Sequence, residues 1–431
     1  MAEHFDVIVV GAGPSGISAA YLLARAGVSV LVIERGDYPG SKNVMGGVLY
    51  RHAVDEIIPG FWKEAPLERP VVESRLWILE KDSAVTVGYR SPKFGQEPYN
   101  SFTVLRAKFD KWFAKKAEEA GALIITETVA EELLFKDGKA IGIRTDRENG
   151  EVYADVVIVA DGVNSLLAKK AGLHGEIPPA NVALAVKEII ALPKEKIEDR
   201  FNLEPGQGAT IELVGEATAG MFGTAFIYTN QDTLSVGVGA ILSDFIRKQV
   251  KPYELIEHLK AHPMVKPLLA GGETREYLGH LIPEGGYHAV PPLYGDGFLL
   301  VGDAAMLVNS LHREGSNMAM TSGRLAAETV LEARKKGDFS KQALAAYQRR
   351  LEESYVLKDL KKYRHAGHFF ETHQHIFELY PELASHAAYE FLKVDGVPKR
   401  EKQKAIIRDA TARRPLRKMI GDAYAAWRAL R

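Results

Sequence analysis

The chain has 431 residues, of which 46% are hydrophobic and 26% charged, and its net charge is −1. That length suits two or three domains, and the charge balance gives no whole-chain argument for nucleic-acid binding. Cysteine is absent, which excludes disulfides, redox dithiols, thiol nucleophiles and Cys ligation of an iron–sulfur cluster by this chain. Redox chemistry, if present, rests on a bound organic cofactor or on a partner. No apolar run approaches the ~18 residues of a membrane span. The first strand begins almost at once, leaving no room for a signal peptide. The expectation is a cytoplasmic protein able to touch a membrane surface.

The apolar run Phe5–Val10 predicts a strand that ends in Gly11-Ala12-Gly13-Pro14-Ser15-Gly16. A helical pattern follows, then a second apolar run, Val28–Ile33, closed by Glu34. Strand, glycine turn, helix, strand and acid in this order predict a site for an ADP-containing dinucleotide. Gly11 permits the tight turn, Gly13 lets backbone approach a pyrophosphate, and Gly16 lets helix and strand pack closely. The N–H groups at the helix start, from Pro14-Ser15-Gly16 onward, face phosphates. Glu34 is placed to accept hydrogen bonds from a ribose. Residues Arg35 to Tyr50 read as a loop. Gly46-Gly47 suits either close approach to a large flat group or a plain flexible turn. Arg35, Asn43, Val44, Gly46 and Gly47 are candidate cofactor contacts.

Residues 51–100 predict a short helix, His52–Ile58, and strands such as Ser74–Leu79 and Ala84–Tyr89. A helix through Ala120 then carries Phe109, Trp112, Phe113 and Ala117 on one face. Arg106 at its entrance is placed either to reach a cofactor or to form a surface salt bridge. Leu123–Thr126, Val129–Phe135, Ala140–Thr145 and Glu151–Ala160 read as strands, with Asp137-Gly138 as a hairpin turn. The last of them runs into Ala160-Asp161-Gly162, a second ligand-side turn of an open α/β sheet. Residues 176–280 change to the pattern of an antiparallel β-rich domain, with strands Ala183–Leu192, Ala209–Val214, Gly220–Thr229 and Thr233–Ile241 and a helix Pro252–Ala261.

A buried strand then ends in Gly302-Asp303. After Leu311-His312-Arg313-Glu314-Gly315 a helix runs from Asn317 toward Lys335, with Ser316 as its N-cap. The positive end of that helix favours negative charge, including that of a reduced anionic ring. Residues 340–431 are helical and increasingly basic. Leu416, Met419, Ile420, Ala423, Tyr424, Trp427 and Leu430 form one stripe at helical spacing, with Arg417, Lys418, Arg428 and Arg431 off it. The stripe suits a packed helix, or one that docks on a partner or a membrane surface.

Gly11–Gly16 with Glu34, Asp161-Gly162 and Gly302-Asp303 resemble the FAD fingerprints of the flavoprotein family that includes p-hydroxybenzoate hydroxylase and geranylgeranyl reductase. The resemblance implies an α/β fold: a Rossmann-like FAD-binding domain with an inserted antiparallel β-rich domain and a helical C-terminal region. It divides the chain into an FAD domain (1–50, 101–175 and 281–340), a quinone or substrate domain (51–100 and 176–280) and a helical region for partner or membrane contact (341–431). It implies that Asp303 binds the ribityl chain and that Gly315, Ser316 and Asn317 set N–H groups beside the flavin O2. Arg106 matches the family arginine, and Val129 the backbone contact to adenine.

GSKNVMGGVLY, SFTVLRAKFDKW, VKEIIALP, LVGDAAMLVNSLHREGSNMAMTSGRLAAE and FELYPELAS…VDGVPKREKQKAI more narrowly resemble the FixC-type flavoproteins of electron-bifurcating complexes, and electron-transfer-flavoprotein:quinone oxidoreductases. The resemblance implies a path from an electron transfer flavoprotein of alpha and beta subunits, through the iron–sulfur cluster of a FixX-like ferredoxin, to this FAD. Electrons then leave to a membrane quinone, menaquinone or ubiquinone, at the inner face of the cell membrane. In such a complex this is the downhill branch from NADH; no second GxGxxG offers an NAD(P) site here. His312 and Arg313, beside the ring loop, are candidates to donate protons to the quinone or orient it, or they only support the loop. His365, His368, His373 and His375 match no familiar metal spacing, so no metal is expected. They suit an amphipathic stretch near a quinone entrance or a subunit contact. Two other functions compete: a geranylgeranyl-type lipid reductase, and an assembly subunit with a structural FAD.

Overall fold

A computed structural model describes residues 3–42 and 47–431. Asn43, Val44 and Gly46 lie outside the described residues. The chain forms two compact units: residues up to Glu68 with Tyr99–Val182 and His280–Lys362, and Arg69–Pro98 with Ala183–Gly279 and Tyr363–Arg431.

The first unit is built on a parallel sheet. Its strands run in the order Phe298–Leu300, Glu151–Val159, His4–Val10, Val30–Ile33 and Leu123–Ile125, with the short Tyr294–Gly295 antiparallel at one edge. Val7 to Val10 and Val156 to Val159 are buried, as strands covered on both faces must be. The hairpin Ala130–Lys136/Lys139–Thr145 joins Glu151–Val159 antiparallel. Its turn is Asp137-Gly138, with φ of 51° and 80°, the paired positive φ of the tight hairpin predicted there. Helices Pro14–Arg25 and Ser316–Lys336 pack together at glycine: a Cβ on Gly323 would lie 2.0 Å from the Ser15 carbonyl oxygen. Residues 51–68 and 341–362 belong to this unit because Val54, Ile57, Phe61, Leu344, Tyr347 and Leu351 complete its core.

In the second unit the strand order is Glu273–Pro283, Val182–Ala191, Thr233–Ile241, Gly223–Thr229, Gly208–Gly215, Arg69–Glu80 and Ser83–Arg90. The pairings of Thr233–Ile241 with both neighbours are antiparallel. Gly208–Gly215 and Arg69–Glu80 pair in parallel, because these two strands come from distant segments and are not joined by a hairpin. Arg69 is fully buried beside them. It donates to the carbonyls of Gln207 (2.9 Å), Asn230 (2.5 Å) and Gln231 (2.8 Å) and pairs with Glu198 at 2.9 Å. Helices Lys194–Phe201 and Leu242–Lys248 and the strand Glu273–Pro283 were not predicted. The strand is mostly exposed and lacks the apolar alternation of a half-buried one.

Gly323→Ala is expected to lower stability by about 1–3 kcal/mol through overpacking. Gly421→Ala, in the exposed part of helix Leu416–Leu430 with nothing near its Cβ position, is expected to raise it by up to about 1 kcal/mol. Denaturant unfolding of both variants checks this; a neutral Gly323→Ala would contradict the close approach.

Candidate cofactor site

The predicted fingerprints each follow the last residue of a parallel strand. Val10 is level with Ile33 and with Val159, and Val159 with Leu300. The next residues, Gly11, Glu34, Ala160 and Val301, therefore form a row. Bonds from Gly11 N–H to the Ile33 carbonyl (2.8 Å), Ala160 N–H to Val10 (2.8 Å) and Val301 N–H to Val159 (3.0 Å) fix it. The strand His4–Val10 has its sequential successor on one side and a later strand on the other. That is the switch point outside which open α/β sheets bind ligands.

Three glycines of the first turn have different reasons to be glycine. A Cβ on Gly11 would meet the Ala160 carbonyl at 2.2 Å, and one on Gly16 the Gly11 carbonyl at 2.0 Å. Gly13 has ordinary φ (−75°) and no atom within 4 Å of its Cβ position. Neither backbone nor packing demands glycine there, which leaves close approach of a ligand as its reason. Pro14 is the first residue of the helix and Ser15 and Gly16 are buried within it. That helix start carries no side-chain cap and no acid in its first turn, so its N–H groups stay available to an anion.

Glu34 accepts from Ala12 N–H (2.9 Å) and Gly36 N–H (2.7 Å). Each carboxylate oxygen keeps a second lone pair for ribose hydroxyls. Arg35 is exposed and Gly47 buried. Asp161 accepts from Leu167 N–H at 2.9 Å, while its Oδ1 is buried without a hydrogen bond. Burial pushes Asp161 up to about 6. The following Gly162 has φ of 79°. Gly302 has φ of 61° and donates its N–H to Ser322 Oγ at 2.9 Å. Burial likewise pushes Asp303 up to about 6, against the pull of the Arg106 charge.

Arg106 is buried, not part of a surface salt bridge. It grips Asp110 through two bonds of 2.7 Å and donates to Ser316 Oγ at 3.2 Å. Ser316 is the first residue of its helix, so the predicted N-cap shifts one residue: Gly315 caps it, without a side-chain bond. The Ser316 hydroxyl is instead taken by Arg106. Asn317 is buried, its carbonyl accepts from the Tyr355 hydroxyl at 3.0 Å, and its Oδ1 has no hydrogen-bond partner. Residues 309–314 close on themselves through bonds of 3.0 Å between Asn309 and Glu314. His312 and Arg313 stand exposed at the tip, Arg313 with φ of 55°. Val129 is exposed, and both its N–H and its carbonyl are bonded to Asp146. Its N–H is thereby taken, while its carbonyl oxygen keeps a second lone pair for an adenine amine.

Two residues escaped the sequence reading. Burial pushes His280 down to about 4, helped by the charges of Arg106 and Arg35. Burial pushes Glu284 up to about 7, partly offset by a hydrogen bond with Ser310. Neither lies in a motif; only the fold brings them to the side of Arg106 and of the 309–314 loop. Two of the cluster's histidines have partners in the second unit: His375 bonds Asp422 at 3.1 Å and His373 stacks on Phe369. No group of possible metal ligands forms among the described residues.

The open space at Gly13, the two uncapped helix starts and the unpartnered Asn317 Oδ1 fit a dinucleotide with a flat polar ring. They make the strand ends of this p-hydroxybenzoate hydroxylase-like α/β fold the candidate flavin site. Residues 6–178 match the model of FAD dependent oxidoreductases, and residues 366–431 that of the ETF-QO/FixC family C-terminal domain. The protein is an FAD-dependent oxidoreductase. It is 51% identical over 431 residues to Protein FixC of Azotobacter vinelandii, covering 100% of both chains, and 48% identical to Protein FixC of Bradyrhizobium diazoefficiens, covering 99% of both. The chain belongs to the FixC family. Among solved structures, a geranylgeranyl bacteriochlorophyll reductase-like protein from Thermoplasma acidophilum has a TM-score of 0.73 at 23% identity, covering 97% of this chain and 99% of that one. The myxobacterial halogenase CndH has 0.62 at 21%, covering 96% and 91%. These two share the fold.

Gly13→Val is expected to fold with a near-wild-type unfolding midpoint in the FAD-free state but to lose most bound flavin, read as flavin absorbance per protein. Wild-type flavin content would contradict the assignment of Gly13.

Glu284 has a folded value raised from 4.5 to about 7. Its stabilising contribution is complete below 4.5 and is lost as pH rises through 7. Glu284→Gln mimics the protonated form, so the FAD-free variant should gain thermal stability relative to wild type between about pH 5 and about pH 8. A difference that does not change with pH would contradict this. His280, lowered from 6.5 to about 4, acts at the other end: its contribution is lost as pH falls through 4.

Proposed function

We propose that this chain passes electrons from an electron transfer flavoprotein to a membrane quinone, as the downhill branch of a bifurcating complex that oxidises NADH. What carries the reading is the match to FixC over all 431 residues in a sequence without a single cysteine, together with the candidate flavin site. An electron entering or leaving has the flavin as its station here, and any iron–sulfur cluster belongs to a FixX-like ferredoxin partner. FAD, when bound, supplies the uptake and release of the electron pair. This chain's residues hold it. The N–H groups from Ser15 onward, with Arg35 nearby, bind the pyrophosphate, and Glu34 binds the ribose. Asp303 binds the ribityl hydroxyls. Gly315, Ser316 and Asn317 present N–H groups and a positive helix end to the ring, favouring its negatively charged reduced form. Arg106 holds Ser316 in place for this.

Reduction of a quinone also takes protons. His312 and Arg313, exposed at the tip of the 309–314 loop, are assigned to deliver or orient there. No helix among the described residues is long and apolar enough to cross a membrane, so the quinone would be met at the membrane surface.

His312→Ala is expected to slow quinone reduction by about tenfold or more while flavin content stays at the wild-type level; unchanged quinone kinetics would remove the role. Copurification with both electron transfer flavoprotein subunits and a small ferredoxin-like protein tests the relay. Turnover of a prenyl lipid with a chemical reductant, and none with a quinone, would favour the lipid-reductase reading instead. A flavin that is neither reduced nor reoxidised would favour an assembly role.

A further inference from the structure

Glu284 ties the chain after strand Glu273–Pro283 to the 309–314 loop. Its N–H donates to the Asn181 carbonyl at 2.8 Å. Gly285 beside it is packed so closely that a Cβ there would lie 2.3 Å from the Ala289 Cβ, which fixes the turn that carries Glu284. The carboxyl of Glu284 is hydrogen-bonded with Ser310. Ser310 belongs to the loop closed by the 3.0 Å bonds between Asn309 and Glu314, and its carbonyl accepts from the Arg313 N–H at 3.3 Å. That loop leads straight into Gly315, Ser316 and Asn317. Asn309 Nδ2 and Asn317 Oδ1, one on each side of it, have no hydrogen-bond partner, and both residues are more than nine-tenths buried, at 3% and 8% exposure. A buried donor and a buried acceptor left open on one short segment mark a place that a polar group from outside the chain fills.

Two carboxyls flank this segment. Glu314, bonded with Asn317, is raised by burial and stands under the opposed charges of His312 and Asp359. Glu284 is raised by burial to about 7, offset only by Ser310. The titratable and charged groups on the elements around it are His280 on the same strand, Tyr287 and His288 on the turn, and His312, Arg313 and Glu314 on the loop. Helix Tyr355–Lys362, which packs on that turn, adds Tyr355 and Asp359, and its lysines are exposed. None of these charges contributes to the rise of Glu284. An acid held near neutrality by burial alone answers a new negative charge beside it by keeping its proton to higher pH.

We propose that the Glu284 carboxyl is the proton store of the flavin site: it takes a proton from water when the ring gains an electron pair and returns it when the electrons leave. Two electrons enter from a reductant and, besides any proton the ring itself binds, one proton enters the carboxyl from solvent. Both leave again on reoxidation. The negative charge that the carboxyl loses offsets the one that the ring gains. The inference rests on the ring position beside Gly315–Asn317 proposed above and holds for any electron acceptor. It also gives Ser310 a role, since its bond favours the ionised carboxyl and so eases the departure of the proton.

The test is the flavin midpoint potential of the FAD-loaded full chain, measured by dithionite titration with redox dyes between about pH 5 and about pH 9. Glu284→Gln keeps the neutral form throughout. Below about pH 6 wild type and this variant should show the same slope of potential against pH. Above about pH 7 the wild-type slope should be steeper by one proton per electron pair, about 30 mV per pH unit. Asp161 and Asp303 are present in both proteins and cancel. In Ser310→Ala the steepening should begin at higher pH, because the bond that lowers Glu284 is gone; this variant carries the test by itself should Glu284→Gln lose its flavin. Equal slopes at every pH in wild type and Glu284→Gln, or an unmoved onset in Ser310→Ala, would overturn the proposal. Asn317→Ala tells two failures apart. A shifted potential there, with equal slopes in Glu284→Gln, sinks the role of Glu284 alone. Wild-type potentials in all three variants sink the ring position with it.

Discussion

Four parallel strands that end level with one another are the constraint on which the first unit depends. The register sets Gly11, Glu34, Ala160 and Val301 side by side, though the first and last are nearly the length of a domain pair apart in sequence. The row is tight: the Ala160 carbonyl leaves no room for any side chain at Gly11. A shift of one residue in any of these strands would exchange the faces its side chains occupy and move one fingerprint out of the row. The apolar runs that make the strands buried on both faces are therefore also what aligns the polar residues beyond them.

The same row places two helix starts without caps. Closing a helix N-terminus normally falls to a Ser, Thr, Asp or Asn side chain, and leaving it open costs about 1 kcal/mol. Here Gly13 and Gly315 occupy both cap positions and bond to nothing by side chain. The helices they start pack against each other through Gly323 on Ser15. Open N–H groups and the unpartnered Oδ1 atoms of Asn317 and Asp161 are polar groups that the protein itself leaves unsatisfied, and burial raises the carboxyls of Asp161 and Asp303. A cofactor that meets them stabilises the folded state by mass action as well.

Most of this was legible because it lies in contiguous motifs. The glycine turn, Glu34, Asp161-Gly162 and Gly302-Asp303 each carry their own strand beside them, and Thr233–Ile241 and Pro252–Ala261 agree residue for residue with the predicted elements. What was not legible depends on tertiary neighbours. Arg106 is an ordinary arginine at a helix entrance until the fold buries it between Asp110 and Ser316. The Ser316 hydroxyl, taken by that arginine, leaves the capping position to Gly315. His280 and Glu284 flank the end of an exposed strand with no pattern to mark them. The stripe of helix Leu416–Leu430 shows the limit of periodicity: spacing says which residues share a face, but only packing says whether that face turns inward.

Asp422 decides that orientation. Burial alone would raise its carboxyl, yet hydrogen bonds from Arg414, Tyr380 and His375 hold it well below the usual range. The four residues belong to three elements: His375 and Tyr380 at and near the start of helix Ile376–Leu392, Arg414 after helix Lys399–Arg413, and Asp422 on the last helix. A buried ion pair adds little net stability, because desolvation offsets most of the attraction. Removing one partner is costly, however, since it strands a buried charge. Such a group fixes geometry more than it adds stability. It accounts for His375 without a metal, ties the ends of the FixC-type C-terminal segment together, and leaves Leu416, Ile420, Tyr424 and Trp427 no direction but outward.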